Sequence, residues 1–177
     1  MSELLKLFPE CELITDHGLQ QKVLSCWEDG LASGGWNTDD LKVIPFTLLI
    51  PNCRISLLTH VLAVTRTALS CARVLSQFYS EKYQLNLNHL TAGALLHDVG
   101  KLLEYKRQDN QIIKSPAGKL LRHPFSGAGM AIRHGLPDEV VHIIATHAKE
   151  GDDTYRSPES IIVHHADFMN FEPLKNL

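Results

Sequence analysis

The sequence has no apolar run approaching the roughly 20 residues of a membrane-spanning helix, and its longest apolar stretch, Val43 to Pro51, is interrupted by Pro45. Its first residues, MSELLKLFPE, lack the apolar core of a signal peptide, so a cytoplasmic protein without a membrane partner is expected. Cysteine is scarce. Cys11, Cys26, Cys53 and Cys71 form no CxxC pair, which excludes a thiolate zinc ribbon and points to unpaired thiols in a reducing compartment. Basic residues do not cluster either: 17 Lys and Arg stand against 20 Asp and Glu, with no dense basic run to line a groove for long nucleic acid. Internal repeats, low-complexity tracts and long linkers are absent, so 177 residues are expected to form one globular unit around its own core.

Helical signals dominate what is there. Asp16 is a natural N-cap for a helix over residues 17–31, ended by Ser33-Gly34-Gly35, and a loop-rich segment with Pro45 and Pro51 follows. From 55 to 83, Leu58, Val61, Leu62, Thr65, Leu69, Ala72, Leu75 and Phe78 recur at three- and four-residue steps, one face of a long helix with His60 near its start. Asn88 is expected to cap the next helix, whose small and apolar residues lead into the turn His97-Asp98-Val99-Gly100-Lys101. Residues 104–115 lose helical periodicity and contain Asp109-Asn110, which suits an exposed loop or a small β-ribbon acting as a movable flap. Pro124 and Pro137 occupy first helical positions of helices over 124–134 and 137–148, and Ser157-Pro158 starts a last helix reaching about residue 170.

The ten histidines matter by placement. A neutral imidazole beside a carboxylate at a helix end, as in His97-Asp98, can reach one ion, and the carboxylate keeps a second oxygen to share with another. An isolated His-Asp pair is also a common hydrogen-bonded helix terminus. Here it stands in LLHDVGKLLEY, downstream of a helix bearing THV and upstream of LRHPFSGAGMA, IIATHAKEGD and IIVHHADFM, each setting a candidate ligand beside an apolar helical stretch.

The ordered set His60, His97-Asp98, His123, His147 and Asp167 resembles the HD superfamily of metal-dependent phosphohydrolases over about Ile55 to Phe171. That resemblance implies an all-α, compact HD-type helical bundle at 53–177; residues 1–52 lie outside the match and are expected to form a helical and loop extension packed on the core, as a lid or a dimer contact. It also implies that His60, His97, Asp98 and Asp167 bind one metal, while His123 and His147 share Asp98 with a second, as in two-metal members. Two cations about 3.5–4 Å apart can polarise a phosphoryl oxygen and generate a bridging hydroxide near neutral pH. A His/Asp set without thiolate favours iron or manganese, with Ni, Co, Zn and Mg also compatible.

Lys101 matches a family lysine that contacts substrate phosphate, which makes Asp98 and Lys101 the expected catalytic residues. Arg122, beside His123, is a weaker candidate for phosphate binding, and Arg66, six residues after His60, suits the surface better. His164, three residues before Asp167 on one helix face, is expected to orient that carboxylate or to fill a hydrogen-bonded core position. Glu150 could shuttle a proton, but a solvated loop position fits it better. His17, His89, His134 and His142 read as surface or capping residues.

The expected substrate is a small phosphorylated molecule, a nucleotide above all, and a homodimer is compatible. Cyclic-di-GMP phosphodiesterases of the HD-GYP class carry a Glu four residues before the first His, a His-His pair at the fifth ligand and a GYP tripeptide; Ser56, His147-Ala148 and no GYP stand here. Dinucleoside-tetraphosphate hydrolases carry His-Thr-x-Gly where this chain has THAKEGD. Two further readings share the ligand pattern or the bundle: a di-iron oxygenase resembling inositol oxygenase, and a degenerate HD module with a binding or regulatory role.

Overall fold

The computed structural model describes residues 3–175. The outermost two positions of each expected segment, Met1 and Ser2, and Asn176 and Leu177, lie outside the described residues. The architecture is all-α with one two-stranded ribbon: α1 Glu3–Leu7, α2 His17–Gly34, α3 Leu57–Tyr79, α4 Leu87–Leu96, α5 Lys101–Glu104, β1 Tyr105–Gln108, β2 Gln111–Lys114, α6 Pro116–Leu120, α7 His123–Arg133, α8 Asp138–Thr146 and α9 Pro158–Lys175. Three 3-10 turns, Pro9–Leu13, Thr38–Lys42 and Lys149–Gly151, join them.

Most helix starts follow local chemistry. Asp16 accepts a hydrogen bond from Leu19 N at 3.0 Å, Ser56 from Thr59 N at 3.1 Å, and Ser157 from Ser160 N at 3.2 Å, so each satisfies one amide that the first turn leaves without a partner. The start of α4 differs from expectation. Asn86 is its cap, accepting from the amides of Asn88 and His89, while Asn88 lies inside the helix and takes Thr15 N on its own amide oxygen. Pro137 is the N-cap of α8 instead of its first residue, and α9 runs on to Lys175 with Pro173 inside it.

α4 is the axis. It is buried on nearly every side and packs against α2, α3, α8 and α9, which explains a run of small and apolar residues without an amphipathic stripe. On one flank α2, α7 and the N-terminal segment close a core containing Phe8, Trp27, Trp36, Leu95, Val99, Leu102 and Met130. On the other, Val64, Ala68, Leu90, Ile143, Val163 and Ala166 from α3, α4, α8 and α9 form a second cluster. The N-terminal segment packs into the first core: Phe8 stacks on Trp27 at 4.6 Å and Trp36 Nε1 donates to Leu102 O at 2.8 Å.

The segment expected as an exposed loop or small β-ribbon is a hairpin pairing Tyr105 with Lys114 and Gln108 with Gln111. Its two-residue turn, Asp109-Asn110, has φ of 50° and 61°, the left-handed pair whose twist suits a tight hairpin. Its base is anchored, since Tyr105 is buried and Arg107 reaches Asp40 at 2.6 Å. Close approach matters most at Gly100, where a Cβ would lie 2.2 Å from His123 O. Only glycine lets the turn after His97-Asp98 touch the start of α7.

Candidate metal centre

Five helices deliver their ends, or one face, to a common point. His60 lies at the close of the first turn of α3, His97 is the C-terminal cap of α4, His123 opens α7, His147 caps the C-terminus of α8, and Asp167 projects from α9. His60, His97, Asp98 and His147 are almost fully buried, and His123 is 6% exposed. Two groups of converging ligand atoms result: His60, His97 and Asp167, and Asp98, His123 and His147.

Asp98 joins the two groups. Its Oδ2 lies 3.5 Å from His60 Nε2 and 3.4 Å from His97 Nε2, while its Oδ1 lies 3.2 Å from His123 Nε2 and 3.8 Å from His147 Nε2. On the far side of the first group, Asp167 Oδ1 is 3.0 Å from His60 Nε2. The Nε2 atoms of His123 and His147 are 3.3 Å apart.

The imidazoles are aimed by their other nitrogens. His97 Nδ1 donates to Ala94 O at 2.7 Å and His147 Nδ1 to Ile144 O at 2.8 Å; a carbonyl only accepts, so these hydrogens sit on Nδ1 and the Nε2 lone pairs face inward. His123 Nδ1 is held instead by Glu104 Oε2 at 2.8 Å.

Burial pushes the His60 and His123 imidazoles toward the neutral form, and it pushes His147 down to about 3 with help from the neighbouring His97 and His123. Burial alone would raise Asp98 and Asp167. Lys101 and His97 around Asp98, and His60 and His97 around Asp167, outweigh it and hold both carboxyls well below the usual range. At His97 and Lys101 burial is outweighed by the Asp98 charge, so both are raised. Ionised carboxylates with inward lone pairs in a dry interior form a centre that calls for cations.

Divalent metals fit this donor set. The Nε2 atoms of His60 and His97 are buried, and the carboxylate oxygens beside them at 3.0 and 3.4 Å are not aligned for a hydrogen bond, which is costly for a polar atom unless a ligand completes it. Both groups offer imidazole and carboxylate only, while Cys11 and Cys26 lie in the hydrophobic core, their thiols pushed up to about 12 by desolvation.

The remaining expected site residues fall differently. Lys101 Nζ donates to Asp98 Oδ2 at 2.6 Å and to Phe46 O at 2.5 Å, so two of its three hydrogens brace the centre itself. Arg122 Nε sits between two carboxylates, 3.4 Å from Glu150 Oε1 and 3.9 Å from Glu104 Oε2. Glu150 is not the solvated loop residue its sequence position suggests: its side chain is 10% exposed and faces Arg122. His164 donates from Nδ1 to His147 O at 2.6 Å, bracing the end of α8. Arg66 pairs at the surface with Glu10, and His142 accepts from Ser157 N at 3.1 Å. His134 reaches Asp29 at 3.0 Å, His89 approaches Glu139 at 4.0 Å, and His17 is exposed.

Two residues of the centre were missed in the sequence. Phe46, from the loop before α3, stacks on His60 at 4.2 Å and offers its carbonyl to Lys101. Glu104 holds His123. Beside the centre opens a cavity of about 310 Å³, lined by Phe46, Lys101, Tyr105, Arg122, Asp167 and Phe171 among others.

A helical bundle that gathers histidines and aspartates in this order defines a class, and the chain belongs to the HD domain family, matched at residues 57–169. Within it, the chain is similar to the dihydroneopterin 2′,3′-cyclic phosphate phosphodiesterase of Methanocaldococcus jannaschii, 34% identical over 114 residues, which are 63% of this chain and 44% of that protein. Ribonuclease Y of Pseudothermotoga lettingae is 28% identical over 96 residues, 54% of this chain and 16% of that protein. Ribonuclease Y of Thermotoga maritima is 25% identical over 97 residues, 55% of this chain and 16% of that protein. This chain thus spans less than half the length of the curated relatives it matches. No solved structure matches it.

Proposed function

We propose that the chain is a metal-dependent phosphodiesterase that hydrolyses a small phosphate ester at a two-metal centre. The observation that carries this reading is the division of Asp98: one carboxylate turns one oxygen to His60 and His97 and the other to His123 and His147. His60, His97 and Asp167 would hold one ion and His123 and His147 the other, with Asp98 common to both. When bound, the ions would supply Lewis acidity toward phosphoryl oxygens and lower the pKa of water. Iron or manganese suits the donors best.

Lys101 keeps Asp98 ionised and in place, and it lines the cavity, where a cation opposes charge gathering on phosphoryl oxygens. Arg122, held between Glu104 and Glu150, offers its other guanidinium N–H groups to the phosphate. Phe46, Phe168 and Phe171 supply an apolar wall for the organic part of the ester. A cavity of this size suits a ligand like a single nucleotide better than a long strand. The Methanocaldococcus relative is named for a 2′,3′-cyclic phosphate, so cyclic phosphodiesters of nucleosides and pterins head the substrates to test. Unpaired thiols and the absence, among the described residues, of a helix able to cross a membrane support a cytoplasmic setting.

The test is turnover of bis(p-nitrophenyl) phosphate and a panel of cyclic nucleotides by anaerobically purified protein loaded with Mn²⁺ or Fe²⁺. About two ions per chain with hydrolysis is the expected result. Two irons without hydrolysis of any ester would replace it with an oxygenase, and no metal uptake with a binding module.

A further inference from the structure

We propose that Glu104 is a positioning residue for the second half of the centre, fixing the ring of His123 and so setting the affinity of the Asp98, His123 and His147 group for a divalent cation. The inference rests on the two-metal reading.

Glu104 ends α5, just before the hairpin, and is 5% exposed. A single oxygen, Oε2, receives two hydrogen bonds from one residue: the His123 amide at 2.6 Å and His123 Nδ1 at 2.8 Å. The amide bond has a reason. His123 is the first residue of α7, whose first-turn amides lack helical partners, and its N-cap, Arg122, provides no side-chain cap. Glu104 acts as that cap from another element, and a carboxylate at a helix N-terminus is favoured by the helix dipole.

The ring bond sets His123 apart. His97 and His147 are each braced by a neutral carbonyl three residues earlier in their own helix, whereas His123 is braced by a charged group from a different part of the chain. A carboxylate on Nδ1–H selects the tautomer with a free Nε2, fixes the ring plane and makes Nε2 a stronger donor. That Nε2 is the atom facing Asp98 Oδ1 at 3.2 Å.

Glu104 is itself held on several sides. Lys114 Nζ, at the end of β2, is 3.3 Å from its other oxygen. Its backbone carbonyl accepts from Ser115 N at 2.8 Å, and a Cβ on Gly118 would lie 2.3 Å from that same carbonyl. The hairpin and α6 therefore fold back over Glu104, and the second half of the centre inherits its rigidity from them. Partners of this kind change metal affinity by about 10–100-fold when removed.

Titration of the metal-free full-length chain with Mn²⁺ alone, read by the free-ion paramagnetic resonance signal, tests this. The wild type is expected to take two ions, and Glu104→Gln to weaken one of the two binding steps about tenfold or more while leaving the other unchanged. Nitrogen-detected imidazole spectra of the metal-free wild type, which need no variant to fold, should show His123 protonated at Nδ1. Two unaltered binding steps in Glu104→Gln, equal weakening of both, or a His123 hydrogen on Nε2 would overturn the proposal and leave the two-metal reading standing. A wild type that binds no Mn²⁺ would remove that reading and this proposal together.

Discussion

The two halves of the centre contain similar ligands but are built differently. His60 and Asp167 come from the two longest-reaching helices of one flank, α3 and α9, and His97 is braced by its own helix, so ordinary helix packing is enough to bring the first group together. His123 and His147 stand at opposite termini of the shorter helices α7 and α8, and their placement leans on Glu104, His164 and the bare backbone of Gly100. His60 and Asp167, carried along helices, are placed by core packing, whereas the ligands at helix ends are oriented through Nδ1, by a carbonyl of their own helix at His97 and His147 and by the distant Glu104 carboxylate at His123.

That contrast can be broken most completely at the residue common to both halves. Asp98→Ala removes an oxygen from each group, and uptake of both ions should fall with phosphodiester hydrolysis to background, as elemental analysis and turnover on one sample would show. Retention of both ions would sink the shared-carboxylate arrangement. A sharper comparison comes from paired variants: His123→Ala should lose one ion and keep the other, and His60→Ala should do the converse. Identical Mn²⁺ isotherms for the two variants would mean that the halves are not separate sites.

Lys101→Met tests the brace under the centre. It strips the buried Asp98 of its ammonium partner, and leaving a buried charge unpaired costs about 3–5 kcal/mol, measurable by urea unfolding of the metal-free protein. Added Mn²⁺ should restore part of that loss, because a bound cation also compensates the carboxylate; no recovery would separate Lys101 from the metal centre.

The smallest effect belongs outside both halves. Asp29, between Ser33, His134 and Arg133, is lowered from its ordinary 3.8 to about 2, mainly by the Ser33 and His134 hydrogen bonds. A depressed carboxyl pKa contributes stability above the unfolded value that disappears as pH falls through the folded one. Asp29→Asn should therefore flatten the stability profile between about pH 4 and pH 2 while leaving both Mn²⁺ steps as they are. A changed isotherm would show that this surface pair and the centre are coupled.

The helices were legible because their signals are local: caps at Asp16 and Ser157, prolines at first turns, and apolar steps along α3. Where two caps compete within three residues, as at Asn86 and Asn88, the outcome depends on a distant partner, Thr15. The six His and Asp positions stood out through their ordered resemblance to the HD pattern, which helical periodicity alone does not supply. Glu104 did not, since a glutamate at the end of a short apolar turn looks like any solvated carboxylate until the amide of His123 arrives against it. Phe46 was hidden for a similar reason, lying outside the stretch that resembles the family and reaching the centre only through packing on His60.

By itself the sequence determined the helical class, a break in helical periodicity over 104–115 and, through the ordered His and Asp motifs, the candidate ligands, because propensity, capping and motif spacing are properties of short stretches. Only the tertiary structure decided which oxygen of Asp98 faces which histidines, that Lys101 is spent largely on bracing, and that Glu104 stands behind His123. Those are contacts between chain segments far apart in sequence, and their energies exist only once burial has removed the water that would otherwise satisfy each group alone.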